Sequence, residues 1–434
     1  MVDSAHIYNL KAVMKEVGIS AATLRAWERR YHLPMPQRSA GGHRLYSRQD
    51  IEMLKWLVAR QDEGLSISHA IELWKAQQST EQDLSGLVQA PLESISMGEA
   101  MLDELRERWV TACTAFDDQS AKHILDQAFA LAAPEVICSE VLQKGLAQVG
   151  DDWYSGFVSV QQEHFATAIA IRRINSLLAA VTAPTRREHI LVACPPGEEH
   201  SFVLLMLTYL LRRRGWDVVH LGADVPLINL DATIQQTKPV MVLSAAQTLY
   251  GAASLRQMSE YLQTQTVPLS FGGGIFLQVP AAARHISGYY LDRELSNVPK
   301  LVEILVTAPP DMPVAPPVSS EYAAMLRLFV HHETGIGDYV TSSLQDAQLE
   351  TAHVGIAIDN LGRLISSALS LGDINLLDPS VAWLGGLLEN RGISPAVAGQ
   401  FYAVYTEAVK KYLGEDGAII QDWLSKLDMT GTLE

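Results

Sequence analysis

The 434-residue chain is short of cysteine, of long apolar runs and of positive charge. Its three cysteines, Cys113, Cys138 and Cys194, are widely spaced and flanked by mostly small or apolar residues. That argues against a disulfide framework and against a thiolate metal site. No apolar run reaches the ~20 residues that span a bilayer, and the opening residues, MVDSAHIYNLKAVMKEVG, hold no signal-peptide apolar stretch. A reducing cytoplasm is the expected location. Basic residues number 33 against 49 acidic ones, a formal charge of −16, which ordinarily counts against a nucleic-acid binder. The average conceals an asymmetry: residues 1–78 carry eleven Lys/Arg and eight Asp/Glu, net +3, which leaves −19 for the other 356.

Apolar material is ample. Hydrophobic residues make up 48% and charged ones 19%, with mean hydropathy near zero, the balance of a folded chain rather than a disordered one. This length implies three or four modules, and the patterning predicts a multidomain α and α/β protein. In 1–78, short helical patterns are interrupted by the loop PMPQRSAGG, a small helical domain with a wing-like excursion. In 79–185, Leu125, Ala128, Phe129 and then Leu142, Leu146, Val149 recur at helical spacing, broken at Pro134 and Gly150, which predicts a four- or five-helix bundle. In 186–306, the runs HILVACPP, WDVVHLG, PVMVLSA and VPLSFGGG alternate with helical patterns. They predict a parallel, Rossmann-like sheet with right-handed crossovers and a ligand site at the carboxyl ends of its strands. Residues 307–320 hold five prolines and read as a semi-rigid linker. Residues 321–434 predict four or more helices.

The first module has helix-turn-helix spacing: a short helix, a turn at Gly18, and a second helix opened by Ser20 as N-cap. Thr23, Arg25, Arg29 and Arg30 are placed to face a groove, with Arg38, His43, Arg44 and Tyr46 in or after the loop to reach phosphates. Leu24, Trp27 and Tyr31 read as core. An arginine-rich helix is by itself more often a solvated face. Here TLRAWERRYHLP followed by R-x2-GGHRLYSRQDI resembles the winged helix-turn-helix of the MerR family of transcription regulators. The resemblance implies a dimer on a pseudo-palindromic promoter site, often with distortion of the DNA.

A second constellation lies between 198 and 274: Glu198-x-His200-x-x-Val203, Ser244-Ala-Ala246, and Gly272-Gly273-Gly274, each at or just after a strand end. Together they resemble the D-x-H-x-x-G, S-x-L and G-G elements of cobalamin-binding domains of the methionine-synthase type. The resemblance makes His200 the cobalt ligand and lets the glycines admit the nucleotide tail. An imidazole suits cobalt, and a carboxylate two residues earlier can fix its tautomer. Glu198, Val203 and Ala246 depart from that pattern, where it has Asp, Gly and Leu. In the bundle, Trp153-x9-Glu163-His164 resembles the signature of CarH-type light-sensing repressors. This implies that Trp153, Glu163 and His164 cap the upper face of adenosylcobalamin. Tyr154 stands where that family has a second histidine, and a phenol is a poor substitute for imidazole at cobalt.

The C-terminal extension has a layout similar to photocobilins, which pair a cobalamin domain with a helical tetrapyrrole domain. That implies a second chromophore such as biliverdin, with His331, His332, Tyr339, His353 and Arg363 as candidates to meet it. No cysteine lies beyond 194 to link one. Three readings follow. The first is a light-responsive cobalamin-dependent transcription regulator that binds promoter DNA as a dimer or tetramer. The others are a cobalamin-dependent methyl carrier or mutase component, and a regulator that senses another ligand through its C-terminal domain.

Overall fold

The protein is described here from a computed structural model. It covers residues 8–17, 19, 23–24, 27, 34, 37–38, 44–47, 50–51, 53–55, 57–58, 99–291, 295–344, 351–390 and 394–427. The chain forms two compact units, 1–93 and 94–434.

In the first unit, strands β1 (Tyr8–Asn9), β2 (Gln37–Arg38) and β3 (Arg44–Tyr46) make an antiparallel sheet in the order β1-β3-β2. Tyr8 lies opposite Tyr46, and Arg38 opposite Arg44. Helix α1 (Leu10–Val17) follows β1 and contributes Val13 and Val17 to a core with Leu24, Trp27, Leu54 and Leu57. Ser47 and Asp50 exchange hydrogen bonds in the manner of a capping box: Asp50 N donates to Ser47 Oγ at 3.1 Å and Ser47 N to the Asp50 carboxylate at 2.8 Å. Tyr46 departs from its expected place at the phosphates. It is fully buried, because its pairing with Tyr8 turns the ring into that core rather than toward solvent.

The second unit opens with the helical bundle. Its helices are α2 (Glu99–Thr114), α3 (Asp118–Leu131), α4 (Pro134–Val136), α5 (Lys144–Tyr154) and α6 (Val160–Ala179), with a π-helical stretch, Ile137–Gln143, joining α4 to α5. Asp117 caps α3 through Ser120 N, and Ser159 with Gln162 forms a capping box on α6. The expected break at Gly150 does not occur. The helix continues to Tyr154, since packing of Leu146 and Val149 on its inner face outweighs the roughly 1 kcal/mol that one glycine costs a helix.

The sheet that follows contains β4 (His189–Ala193), β5 (Asp217–Gly222), β6 (Met241–Ala245), β7 (Leu269–Gly272) and β8 (Tyr289–Tyr290). All pair in parallel, in the order β5-β4-β6-β7-β8. The winding direction reverses between β4 and β6, and such a switch point opens a crevice at the strand carboxyl ends. Connecting helices are α7 (Phe202–Arg213), α8 (Leu230–Thr237), α9 (Leu249–Thr264), α10 (Ile275–Gln278) and α11 (Val298–Thr307). Alternate residues serve opposite cores: Ile190, Val192 and Leu243 pack with α7 and the bundle, while Leu191 and Val242 pack toward α9.

The α9 side is shared with the C-terminal helices α12 (Ser320–Ser343), α13 (Thr351–Leu371), α14 (Asp378–Asn390), α15 (Pro395–Leu413) and α16 (Ala418–Leu424). Leu255, Met258, Phe329, Ile365 and Tyr405 belong to one continuous core. Within α13, Val354–Leu371 is long and apolar enough to cross a membrane by length and composition, although Asp359 and Arg363 interrupt it. Half of that window is buried inside the fold, where α13 packs between α9 and α12.

Residues 308–319 run extended and are held at several points. Gly288 N donates to Pro313 O, Tyr289 Oη to Pro310 O, and Ala315 N to Ser287 Oγ. Arg256 of α9, only 5% exposed, donates to Pro316 O, His285 O and Leu371 O and pairs with Glu260. One guanidinium thus ties the extended segment and the end of α13 to the sheet domain. Arg256→Met is expected to lower stability by about 3 kcal/mol, because it strands three carbonyls. Denaturant unfolding with hydrogen exchange checks this, with protection lost first across 351–390.

Candidate functional site

The loop after β4 is shaped by its neighbours. Cys194 N donates to Gly222 O, Asp224 N to Glu198 O, and Gly197 N to the Asp224 carboxylate at 2.7 Å. These bonds carry Glu198 into the crevice between β4 and β6. Its carboxylate is 1% exposed and fully engaged. Oε1 accepts from His200 N at 3.1 Å and lies 2.6 Å from His200 Nδ1, and Oε2 accepts from Gln247 N at 2.8 Å. Burial alone would raise the Glu198 pKa, but the bonds from the His200 ring, Gln247 N and His200 N outweigh it and hold it below the ordinary value. The same contact, opposed by burial, raises the pKa of His200.

The His200 ring is 64% exposed. With Nδ1 facing an acceptor, a neutral imidazole carries its proton there and presents the Nε2 lone pair outward. Glu163, at the start of α6, makes a smaller electrostatic contribution to the raised His200 pKa. Glu163 accepts from Thr167 Oγ1 at 2.9 Å and lies 2.6 Å from His164 Nδ1. The His164 side chain is 75% exposed.

At the end of β6, Ser244 is buried, and its Oγ has no hydrogen-bond partner among the described residues. Such an orphan hydroxyl fits a ligand acceptor. Beyond β7, Gly273 has φ +125°, and a Cβ there would fall 2.0 Å from Ala246 O, so only glycine lets the two strand ends approach. Gly274 N donates to Gln247 Oε1 at 2.9 Å. Hydrogen bonds therefore run from His200 through Glu198 and Gln247 to Gly274, across three strand ends. Gln247 and Gly251 escape a sequence reading. Gly251 leaves room for Glu198, since a Cβ there would lie 2.3 Å from Oε2. Two of these features fit a cobalt macrocycle: one exposed nitrogen donor and a buried hydroxyl with no partner among the described residues. Among the described residues no group of three or more His, Cys, Asp or Glu could hold a bare metal ion. All three cysteines are buried, their thiols pushed up to about 12 first by burial.

On the bundle side, Trp153 and Tyr154 end α5, both half-buried. In the first unit, Thr23 and Arg44 are half-buried. Arg25, Arg29, Arg30 and His43 lie outside the described residues, and only the backbone of Arg38 is described. In the C-terminal helices, His331 and His332 contact each other at 4.8 Å, and His332 faces Tyr412. Tyr339 lies under the Lys411 ammonium at 4.5 Å, and the side chain of His353 is outside the described residues. A cavity of about 150 Å3 in this domain is lined instead by residues including Asn360, Leu361, Leu384, Leu388, Phe401 and Tyr402. His331, His332 and Tyr339 are not among the residues that line it. Arg363 is engaged elsewhere, over the Tyr250 ring at 4.5 Å.

Two family models match the chain: the MerR HTH family regulatory protein over 8–77 and the B12 binding domain over 105–178. The class is therefore a cobalamin-binding transcription regulator with a helix-turn-helix reader. Within it, the chain belongs to the family of the HTH-type transcriptional repressors CarA and CarH of Myxococcus xanthus. It is 34% identical to CarA over 236 residues, 54% of this chain and 74% of CarA. It is 33% identical to CarH over 237 residues, 54% of this chain and 77% of CarH. A more distant relative is the methanol–corrinoid protein of Methanosarcina barkeri, 27% identical over 118 residues, 27% of this chain and 45% of that one.

Gly251→Ala is expected to cost about 1–3 kcal/mol by overpacking the Glu198 pocket, read as a lower denaturation midpoint. Gly150→Ala, with nothing within 4 Å of its added Cβ, is expected to leave stability unchanged or raise it by up to about 1 kcal/mol, read from the same midpoint.

Proposed function

We propose that the protein is a light-responsive transcription regulator whose sensor is adenosylcobalamin held at the crevice between β4 and β6. The exposed His200 imidazole, anchored on a buried carboxylate, carries this reading. His200 would hold the cobalt through its outward imidazole nitrogen with Glu198 fixing the ring, Ser244 and Gly272, Gly273 and Gly274 would flank the nucleotide tail, and Trp153, Glu163 and His164 would cover the adenosyl side. When bound, adenosylcobalamin supplies a cobalt–carbon bond that visible light breaks. Trp153 would respond to whether that upper face is occupied, and a shift of its ring would alter the oligomer and its grip on promoter DNA. Thr23, Arg25, Arg29 and Arg30 read the groove, while Arg38, His43 and Arg44 hold phosphates. To change occupancy from nearly full to nearly empty, the two states must differ by about 5.5 kcal/mol. Tyr154 is not the second cobalt ligand of a light state, since a phenol ligates cobalt poorly.

A second ligand in the C-terminal domain is favoured by its apolar cavity. A tetrapyrrole such as biliverdin would have to widen it and would be held without a thioether bond.

Absorption spectra of protein reconstituted with adenosylcobalamin, before and after illumination, test the main reading together with light scattering and promoter binding. Retained cobalamin and a light-dependent change in oligomer or DNA affinity are expected. No retained cobalamin, or photolysis without either change, refutes it. Glu198→Gln is expected to weaken cobalamin retention about 10–100-fold, and His200→Ala to abolish the spectrum of histidine-ligated cobalt. The same titration with biliverdin decides the second ligand.

A further inference from the structure

Helix α14 belongs to the C-terminal domain, yet one of its faces lies on the end of α5, where Trp153 and Tyr154 stand. The Trp383 indole stacks on Trp153, with ring centres 6.3 Å apart and planes at 30°, and lies 5.2 Å from the Tyr154 ring. Three residues on, Gly386 leaves space for the Tyr154 hydroxyl: a Cβ there would fall 2.0 Å from that oxygen. Asn390 Nδ2 donates to the Tyr154 carbonyl at 3.2 Å. Positions 383, 386 and 390 share one helical stripe.

The neighbouring stripe faces inward. Leu384 and Leu388, one turn apart, line the C-terminal cavity. The same short helix therefore touches the cap of the cobalamin crevice on one side and the interior of the last domain on the other. Trp383 is also unlike the fully buried Trp109, Trp216 and Trp423, since 41% of it is exposed even in this stacked position. An indole left that open is held by its ring contacts rather than by a closed core, so displacement of Trp153 or Tyr154 shifts it directly.

We propose that Trp383, Gly386 and Asn390 form the positioning surface that holds the Trp153–Tyr154 cap, so that α14 passes the state of the upper cobalamin face to the C-terminal domain. The proposal rests on the cobalamin reading above. It makes these three positioning residues and gives the C-terminal extension a role that needs no chromophore of its own.

The test is hydrogen exchange on the full chain, loaded in the dark with adenosylcobalamin or with hydroxocobalamin, with an absorption spectrum of each sample. Protection across 378–390 is expected to differ between the two forms by about tenfold in the wild type. Trp383→Phe should keep most of that difference and Trp383→Ala should lose it, with cobalamin retained and protection of 354–371 unchanged. A Trp383→Ala variant that unfolds is replaced by Gly386→Ala, which displaces the Tyr154 ring and should shrink the same difference. Cobalamin retained with no form-dependent change at 378–390 in the wild type, or an unchanged response in Trp383→Ala (in Gly386→Ala where Trp383→Ala unfolds), overturns this proposal alone. A wild type that retains no cobalamin overturns the cobalamin reading and this one with it.

Discussion

The site depends on one desolvated carboxylate. Glu198 is almost entirely out of water, a position that is costly for an ionised group unless hydrogen bonds compensate. Three donors do so: the ring and backbone of His200 and the backbone of Gln247. Because those donors sit on the β4 loop and just beyond β6, the charge cannot be satisfied unless the two strand ends lie at their observed spacing. The group that orients the imidazole is thus also the group that closes the crevice at the switch point. Gly251 completes the arrangement by providing the room the carboxylate occupies.

This explains why part of the site is legible in the sequence and part is not. Glu198 and His200 are two residues apart, and their chemistry is visible in their side chains. Gln247 acts through a backbone N–H, and Gly251 through the side chain it lacks, so neither leaves a chemical signature in one dimension. Strands β4, β6 and β7 are readable because burial on both faces makes near-continuous apolar runs, while β5, at the sheet edge and only partly buried, is read from its short apolar run between turn signals. Strand β8 has only two residues, and its pairing with β7 depends on tertiary context. Tyr46 shows the opposite error: its place in a motif suggested a surface role, while its aromatic ring fills a core. Trp383 is invisible for another reason, since its partner lies more than two hundred residues earlier and no local pattern links them.

The C-terminal helices reach the crevice region from two directions. Arg363 covers Tyr250, whose ring lies where a Cβ on Gly197 would fall, one residue before Glu198. Trp383 covers Trp153 and Tyr154 on the bundle. The last domain therefore contacts both helix α9, whose Tyr250 ring packs on the imidazole loop, and helix α5, which ends in Trp153 and Tyr154. Arg256 adds a third tie by gathering carbonyls from the extended segment and from α13 around one guanidinium. These contacts draw on charge, ring stacking and apolar area together, so the C-terminal helices are built into the unit that holds the sheet and bundle rather than strung after it.

The continuous core under α9 has a consequence for how the chain is made. Leu255 and Met258 wait for partners such as Phe329, Ile365 and Tyr405, all in the final part of the chain. At ordinary rates of synthesis, the last hundred or so residues take on the order of 10 s to emerge. During that interval the sheet can form, but one of its flanking helices presents an apolar face to water. The nascent protein passes through a stage in which the crevice exists before its supporting wall does, with an apolar surface on α9 left open until those later helices emerge.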